Sequence, residues 1–199
     1  MTDGAGTGAL RLFAAVEIPP DWRAALSRAA SSLREATGNE YRWVRPELMH
    51  VTLAFLGYQE PSSLETIEGA LQVAARDNRP FDLRVGKLGT FGTPHAISVV
   101  WVGISEGDAP LSALHQSVAA ALTSAGIAFD RKPLVPHITL ARGRRPVNRD
   151  ASLRLASAIG RAHLPGLSAS VPDIVLFRSR LGPSGPSYEA VRRFPLRNS

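Results

Sequence analysis

Hydrophobic positions along the chain follow two periods, which together predict the order of its strands and helices. Short β-rich runs alternate apolar and polar residues, whereas longer runs between them repeat apolar residues every three or four positions. The alternating runs predict strands over residues 10–18, 41–44, 49–56, 81–88, 96–104, 136–142, 168–181 (bent at Pro172) and 188–196. The helical runs predict helices over residues 21–37, 62–76, 110–125 and 150–162.

This order of elements indicates an α+β fold with mostly antiparallel strand pairing. A chain of 199 residues fits one domain, or one compact body made of two similar lobes. No linker is long enough to divide independent domains, and the small, Gly-rich start does not resemble a signal peptide. We therefore expect a flexible N-terminal tail over residues 1–9 and a single domain over residues 10–199.

Two strand sequences are nearly identical, each reading His, a β-branched residue, Thr, Leu and Ala. They begin at His50 and at His137, and they are the only places where the chain has His-x-Thr. Successive side chains on a strand point to opposite faces, so residues two apart share a face. His50 therefore lies beside Thr52, and His137 beside Thr139, while the apolar residues between them face a core.

An imidazole beside a hydroxyl, present twice, suits the cleavage of a phosphodiester. One histidine can take a proton from an attacking oxygen while the other gives a proton to the leaving oxygen. The two hydroxyls can donate hydrogen bonds to the anion held between them. One such motif would ordinarily be a packing or surface feature, but two copies, one in each half, indicate a duplicated functional unit.

The two motifs resemble the signature motifs of the 2H phosphoesterase superfamily. Their surroundings resemble the bacterial and archaeal RNA 2′,3′-cyclic phosphodiesterases, also called 2′-5′ RNA ligases, from about Leu10 to Leu196. The residues that carry this resemblance besides the motifs are Arg11-Leu12-Phe13, Trp43, Phe55-Leu56-Gly57, Gly89-x-Phe91, Trp101, Pro136, Arg142 and Gly185-x-x-Tyr188.

The resemblance implies a bilobal, pseudo-twofold fold in which two mostly antiparallel β-sheets face a central cleft, with helices outside. It also implies hydrolysis of a ribose 2′,3′-cyclic phosphate at an RNA end to a 2′-phosphate, and the reverse joining to a 5′-hydroxyl as a 2′-5′ linkage. His50 and His137 would be the acid and the base. We favour His50 as the acid, although the residues themselves leave this order open. Thr52, Thr139 and Arg142 would bind the phosphate.

Strict alternation gives Arg142 the core face of its strand, opposite His137. Only a bulge, or an early end of the strand, would turn it into the cleft, where the family motif has an arginine and a guanidinium suits phosphate. Phe55 has the same core parity, so we expect packing first and base stacking second. Tyr188 and Trp43 could stack on a base, but core or rim positions are the first expectation.

The net charge of +6 favours a polyanionic partner. Basic residues flank the second motif, either as a solvated loop or as contacts to a phosphate backbone; they are Arg131, Lys132, Arg142, Arg144, Arg145 and Arg149. The chain has no cysteine, which excludes disulfides, thiol nucleophiles and cysteine-bound zinc, and which suits a cytoplasmic location. No apolar run approaches the ~20 residues of a membrane span.

No metal and no cofactor are implied, because neither motif histidine has acids or cysteines at ligand spacing. Gly86, Gly89 and Gly92 lack the Gly-Lys-Ser/Thr ending of a phosphate loop and are interpreted as bends in the sheet. His115 is expected on the surface of its helix. His163 lies just past a helix end, where a cation is favourable, and is interpreted as a structural residue.

Three alternatives remain open from the sequence. The enzyme could act on small cyclic nucleotides, on 2′-5′ oligonucleotides or on an ADP-ribose cyclic phosphate. The chain could be a non-catalytic RNA-binding module whose histidines are incidental. A histidine-ligated metal hydrolase is the least favoured. Since both halves of the cleft come from one chain, we expect a monomer.

Overall fold

The structure is a computed structural model that describes residues 8–144, 148–183 and 185–197. Most of the predicted N-terminal tail, and Arg145 of the basic run, lie outside the described residues. The helices are α1 (Pro20–Thr37), α2 (Leu64–Arg76), α3 (Asp108–Ser124) and α4 (Arg149–Arg161). The strands are β1 (Leu10–Glu17), β2 (Tyr41–Trp43), β3 (His50–Gln59), β4 (Phe81–Thr93), β5 (Ala96–Glu106), β6 (His137–Gly143), β7 (Ser168–Val171), β8 (Asp173–Gly182) and β9 (Gly185–Pro195).

The strands form a sheet whose centre is the pair of motif strands, β3 and β6. Across the described residues the strand order is β7-β4-β5-β6-β3-β1-β8-β9, with β2 also beside β6, and every pairing is antiparallel. β3 and β6 pair only through Val51 and Ile138. Each motif strand therefore begins its own half-sheet, and the predicted α+β fold with two similar antiparallel halves is confirmed, with the halves joined at this one residue pair.

The helices divide between the two halves and cover the sheet. Helices α2 and α3 pack on each other and on β3, β8 and β9, whereas α1 and α4 pack on each other and on β2, β5 and β6. Each helix buries an apolar stripe, with Trp22, Leu71, Leu114 and Leu155 almost fully inaccessible to solvent. Within the described residues, no helix is both long enough and apolar enough to cross a membrane.

The segment from residue 168 to 181 differs from its prediction as one bent strand. It forms two strands, of which β7 pairs with β4 at the edge of one half and β8 lies between β1 and β9 in the other half. Pro172 separates them because it has no N–H to donate to a ladder; its carbonyl accepts from Leu196 N–H at 2.9 Å. The chain thus crosses between the halves at this proline.

Candidate active site

A cleft of about 780 Å³ lies over the two motif strands. Among the side chains that line it are all five predicted site residues, His50, Thr52, His137, Thr139 and Arg142. Both histidines and both threonines are half-buried, while their intervening neighbours are buried, as the alternation predicts. The fold therefore brings the two distant motifs into one pocket.

The imidazole of His50 is held in one orientation from both sides. Its Nδ1 lies 2.7 Å from the carbonyl oxygen of Leu48, which can only accept, so Nδ1 carries the proton. In the neutral ring Nε2 is then the acceptor, and it lies 3.0 Å from Oγ1 of Thr52, whose hydroxyl donates to it. The rings of Phe13 and Tyr188 pack against His50 at centroid distances of 4.9 and 5.5 Å.

His137 repeats this arrangement in the other half. Its Nδ1–H donates to the carbonyl oxygen of Val135 at 2.6 Å, again two residues upstream, so the neutral ring also has its free Nε2 lone pair. Phe91 packs edge-on against it at 5.2 Å and Trp101 lies at 6.2 Å. The two halves thus present two imidazoles with the same tautomer, each fixed by a carbonyl and an aromatic wall.

Both histidines are poor bases compared with a histidine in water. Burial, together with the positive charges of His137 and Arg142, lowers the pKa of His50 to about 4, against the opposing effect of the hydrogen bond to Leu48. Burial also lowers the pKa of His137, as does the charge of Arg142, against the hydrogen bond to Val135. Both rings are therefore mainly neutral at pH 7 in the empty cleft.

Arg142 reaches the cleft because β6 has a β-bulge. The β5–β6 register passes from Thr139 opposite Trp101 to Ala141 opposite Val100, which leaves Leu140 as the extra residue. Leu140 and Ala141 are both fully buried, so the alternation resets and Arg142 becomes exposed on the face of the histidine. The core position expected from strict alternation is wrong, and the bulge named as the condition for reaching the cleft is present.

The same bulge occurs in β3 and turns Phe55 into the cleft. The β1–β3 register skips Leu53, and both Leu53 and Ala54 are buried, whereas Phe55 is half-buried and lines the cleft. The core-face position expected for Phe55 is therefore wrong for the same reason, but its ring packs, as expected, against a small buried cluster that includes Phe13 and Phe177. The guanidinium of Arg11 lies over the Phe55 ring, 4.7 Å from its centroid.

His115 is not the surface residue that its helix predicts. It is half-buried at the edge of the cleft, and its Nδ1–H donates to the carbonyl oxygen of Leu53 at 2.8 Å. Leu53 is the extra residue of the β3 bulge, whose backbone is left without regular ladder partners. His115 therefore braces the bulge that aims Phe55.

Sequence reasoning missed Arg42, a cleft residue, whereas two aromatic residues occupy the positions expected of them. Arg42 lines the cleft, and its signal is its position between buried Tyr41 and half-buried Trp43 in β2. Tyr188 has the core or rim position expected of it: it is half-buried, packs against the small buried cluster around Phe13 and Phe177, and lines the cleft beside His50. Trp43 packs against the hydrophobic core, as expected.

The charge of the cleft suits an anion. Arg11, Arg42, Arg142 and Lys132 line it, and Asp130, the carboxylate among the lining residues, is 2.8 Å from the Lys132 ammonium. In the described parts of the chain, no three His, Cys, Asp or Glu side chains are grouped so that they could hold a metal ion. The donors that converge here are guanidinium, ammonium, hydroxyl and imidazole groups, which bind phosphate oxygens.

Gly89 makes room for the aromatic wall behind His137. A Cβ at this position would lie only 2.2 Å from the Trp101 ring. We therefore expect Gly89→Ala to displace Trp101, to lower the free energy of unfolding by about 1–3 kcal/mol, and to reduce turnover by disturbing His137. Urea unfolding and the hydrolysis rate measure the two effects.

Gly69→Ala is the matched control, because nothing lies within 4 Å of a Cβ added at this position in α2. It should be neutral or stabilising, since alanine favours a helix. An unfolding free energy unchanged by Gly89→Ala would contradict the packing argument.

Comparison with known families and proteins agrees with this geometry. Residues 18–183 match the sequence model of the 2′-5′ RNA ligase superfamily. The chain is 37% identical over 193 residues to an RNA 2′,3′-cyclic phosphodiesterase of Geobacillus stearothermophilus, a match that covers 92% of this chain and 56% of that protein. It is 33% identical over 188 residues to the RNA 2′,3′-cyclic phosphodiesterase of Methanothermobacter thermautotrophicus, covering 94% and 99% of the two chains.

Solved structures share the fold. A protein from Thermus thermophilus superposes with a TM-score of 0.75 at 28% identity, covering 94% of this chain and 98% of that one. Escherichia coli LigT in complex with 3′-AMP gives a TM-score of 0.70 at 23% identity, with 96% and 99% covered. The chain spans little more than half of the Geobacillus protein but nearly the full length of the archaeal relative.

Proposed function

This chain belongs to the 2′-5′ RNA ligase superfamily, and we propose that it is an RNA 2′,3′-cyclic phosphodiesterase that opens a terminal cyclic phosphate to a 2′-phosphate. The observation that carries the proposal is the pair of identically held imidazoles that share one basic cleft. The names of the curated relatives support the substrate. Residues 10–199 would act as a single catalytic domain.

In the proposed reaction, water attacks the phosphorus and the bond from phosphorus to the 3′ oxygen breaks. Nε2 of one histidine accepts the proton of the water, and Nε2 of the other gives a proton to the 3′ oxygen, which leaves a 2′-phosphate and a 3′-hydroxyl. In ligation, a 5′-hydroxyl replaces water as the attacking group, and the products are a 2′-5′ linkage and a free 3′-hydroxyl. Each imidazole keeps the task it has in hydrolysis, because the same bond from phosphorus to the 3′ oxygen breaks.

The pKa order supports His50 as the base and His137 as the acid. His50, with its pKa lowered to about 4, is the ring that would stay neutral, and it already accepts a hydrogen bond from Thr52. The pKa of His137 is also lowered, but its ring is less enclosed than that of His50 and is the one that would take up a proton as an anion enters the cleft. This assignment is the reverse of the one that the sequence analysis favours.

Thr52, Thr139 and Arg142 would bind the non-bridging oxygens of the phosphate. The Thr52 hydroxyl has one hydrogen, which it gives to His50 in the empty cleft. Donating that hydrogen to a phosphate oxygen instead would free Nε2 of His50 to accept a proton from water. Arg142 would neutralise the charge that grows on the oxygens as the attack proceeds.

We further propose that the reaction needs no metal and no cofactor, and that a monomer suffices. The charge stabilisation that a divalent ion could supply would come from Arg142 and the two hydroxyls. Both motif strands, and hence every proposed catalytic group, come from one chain.

The test is hydrolysis of an RNA oligonucleotide with a 2′,3′-cyclic phosphate end, in excess EDTA. We expect turnover that EDTA leaves unchanged, with a 2′-phosphate as the product. A 3′-phosphate product would show that the other phosphorus–oxygen bond breaks, and loss of activity in EDTA would contradict metal independence. RNA binding without turnover would instead support a non-catalytic binding module.

A further inference from the structure

Two arginines face each other directly at one end of the cleft. In the antiparallel pair of β2 and β6, Arg42 is the cross-strand partner of Arg142. Both side chains are exposed and both line the cleft. Among the described residues, neither forms an ion pair with a carboxylate.

This juxtaposition opposes folding unless something else compensates it. Directly opposed residues have Cβ atoms about 4.5–5.5 Å apart, and like charges in this position are destabilising. Arg42 is also not needed for the core, since its neighbours Tyr41 and Trp43 supply the packing of β2. An uncompensated pair of guanidinium groups at a cleft wall is the arrangement expected of an anion site.

The positions at the same sequence spacing from the other motif histidine carry aromatic residues instead of arginines. Phe55 follows His50 by the five residues that separate Arg142 from His137, and Phe129 precedes His137 by the eight residues that separate Arg42 from His50. The segment of Phe129 also lies beside β3, because the N–H of Asp130 donates to the carbonyl of Phe55 at 2.8 Å. Where one motif has two arginines, the positions at the same spacing from the other motif have Phe55, which lines the cleft, and Phe129, which packs against the hydrophobic core outside the cleft lining.

Each of these two phenylalanine rings already has a guanidinium group over its face. Arg11 lies over the Phe55 ring at 4.7 Å, and Arg131 lies over the Phe129 ring at 5.4 Å. These guanidinium groups are engaged with aromatic faces, whereas Arg42 and Arg142 present theirs to the cleft. The cleft therefore presents one aromatic ring, Phe55, near the first motif and an opposed pair of guanidinium groups, suited to a second negative charge, near the second.

We propose that Arg42, opposite Arg142, binds a second phosphate of the substrate, the phosphodiester on the 5′ side of the terminal nucleotide. This inference rests on the proposed function, in which the reacting phosphate lies between the two histidines. Arg142 is five residues beyond His137 along β6, at most about 17 Å between Cα atoms. In the proposed arrangement Arg142 would contact the reacting phosphate, and Arg42, on the neighbouring strand, would contact the next phosphate of the substrate.

A subsite at Arg42 predicts that a second phosphate on the ligand increases its affinity for the protein. We expect adenosine 2′,5′-bisphosphate to bind at least about 10-fold more tightly than adenosine 2′-monophosphate, in line with a charge-assisted hydrogen bond. In Arg42→Gln the ratio of the two dissociation constants should fall to near one. Titration calorimetry on the full chain measures both ratios, and it requires no turnover.

Arg76→Gln is the matched control, because it removes the same charge from an exposed position in the last turn of α2, outside the cleft. It should keep the wild-type ratio. Since Arg42 faces a like charge, Arg42→Gln should unfold at the same temperature as wild type or at a higher one, so a lost ratio cannot come from misfolding.

The turnover experiment uses a dinucleotide with a 2′,3′-cyclic phosphate end and the corresponding mononucleoside 2′,3′-cyclic phosphate. We expect the ratio of their kcat/KM values to collapse in Arg42→Gln and to survive in Arg76→Gln. Hydrolysis with a ratio that Arg42→Gln leaves intact would overturn the subsite and leave the proposed function standing. Absent hydrolysis with an Arg42-dependent binding ratio would overturn the function and leave the subsite standing.

Discussion

His50→Ala and His137→Ala are each expected to reduce hydrolysis of an RNA 2′,3′-cyclic phosphate by about 10²–10⁴-fold. Each variant removes one of the two proton-transfer groups and leaves the other in place. The measurement is single-turnover hydrolysis at saturating protein, which separates the chemical step from binding and product release. The double variant should be little worse than either single variant, because the two groups act in one step.

His163→Ala is the control for these variants. His163 is exposed, lies beyond the end of α4 and contacts the carbonyl of Arg161 at 3.1 Å, so its loss should leave the rate unchanged. A variant of His50 or His137 with near wild-type rate would contradict the two-histidine mechanism.

A sulfur substrate distinguishes the acid from the base. With sulfur in place of the 3′ oxygen, the leaving group departs as a thiolate and needs no proton. The variant of the acid should then recover most of its rate, and the variant of the base should not. We expect recovery in His137→Ala; recovery in His50→Ala would restore the order that the sequence analysis favours.

Local alternation was sufficient to predict which face of both motif strands lines the cleft, up to the threonine. It failed at Phe55 and Arg142, since each lies beyond a bulge. A bulge is set by the strand opposite and by what braces its free carbonyl, such as His115 at Leu53. None of that is encoded within the five-residue motif, so parity could be predicted only as far as the bulge.

The partners and register of the strands also could not be predicted from the sequence. The opposition of Arg42 and Arg142 depends on the register of β2 with β6, whose members are about a hundred residues apart in the chain. The separation of β7 from β8 depends on which half each strand joins, although Pro172 marks the point of separation. The number and type of elements could be predicted because they depend on local periodicity, whereas their partners depend on the assembled fold.

The second large effect is expected in the pH dependence of kcat/KM, which reports the free enzyme. In the proposed mechanism, the productive form has neutral His50 and protonated His137. Below about pH 4 His50 becomes protonated and the rate falls. Above the pKa of His137, which lies below the ordinary value of 6.5, the protonated fraction falls tenfold per pH unit. Between pH 6.5 and 8.5, kcat/KM should therefore decrease by about 100-fold.

The origin of the basic limb can be tested through Arg142. Its positive charge lowers the pKa of both histidines, so Arg142→Gln should move the basic limb to higher pH while reducing the maximum rate. The pH dependence of kcat should also lie higher than that of kcat/KM, because the bound phosphate anion favours the imidazolium of His137. A kcat/KM that stays flat or rises from pH 6.5 to 8.5 would mean that no histidine with a lowered pKa supplies the proton to the leaving oxygen.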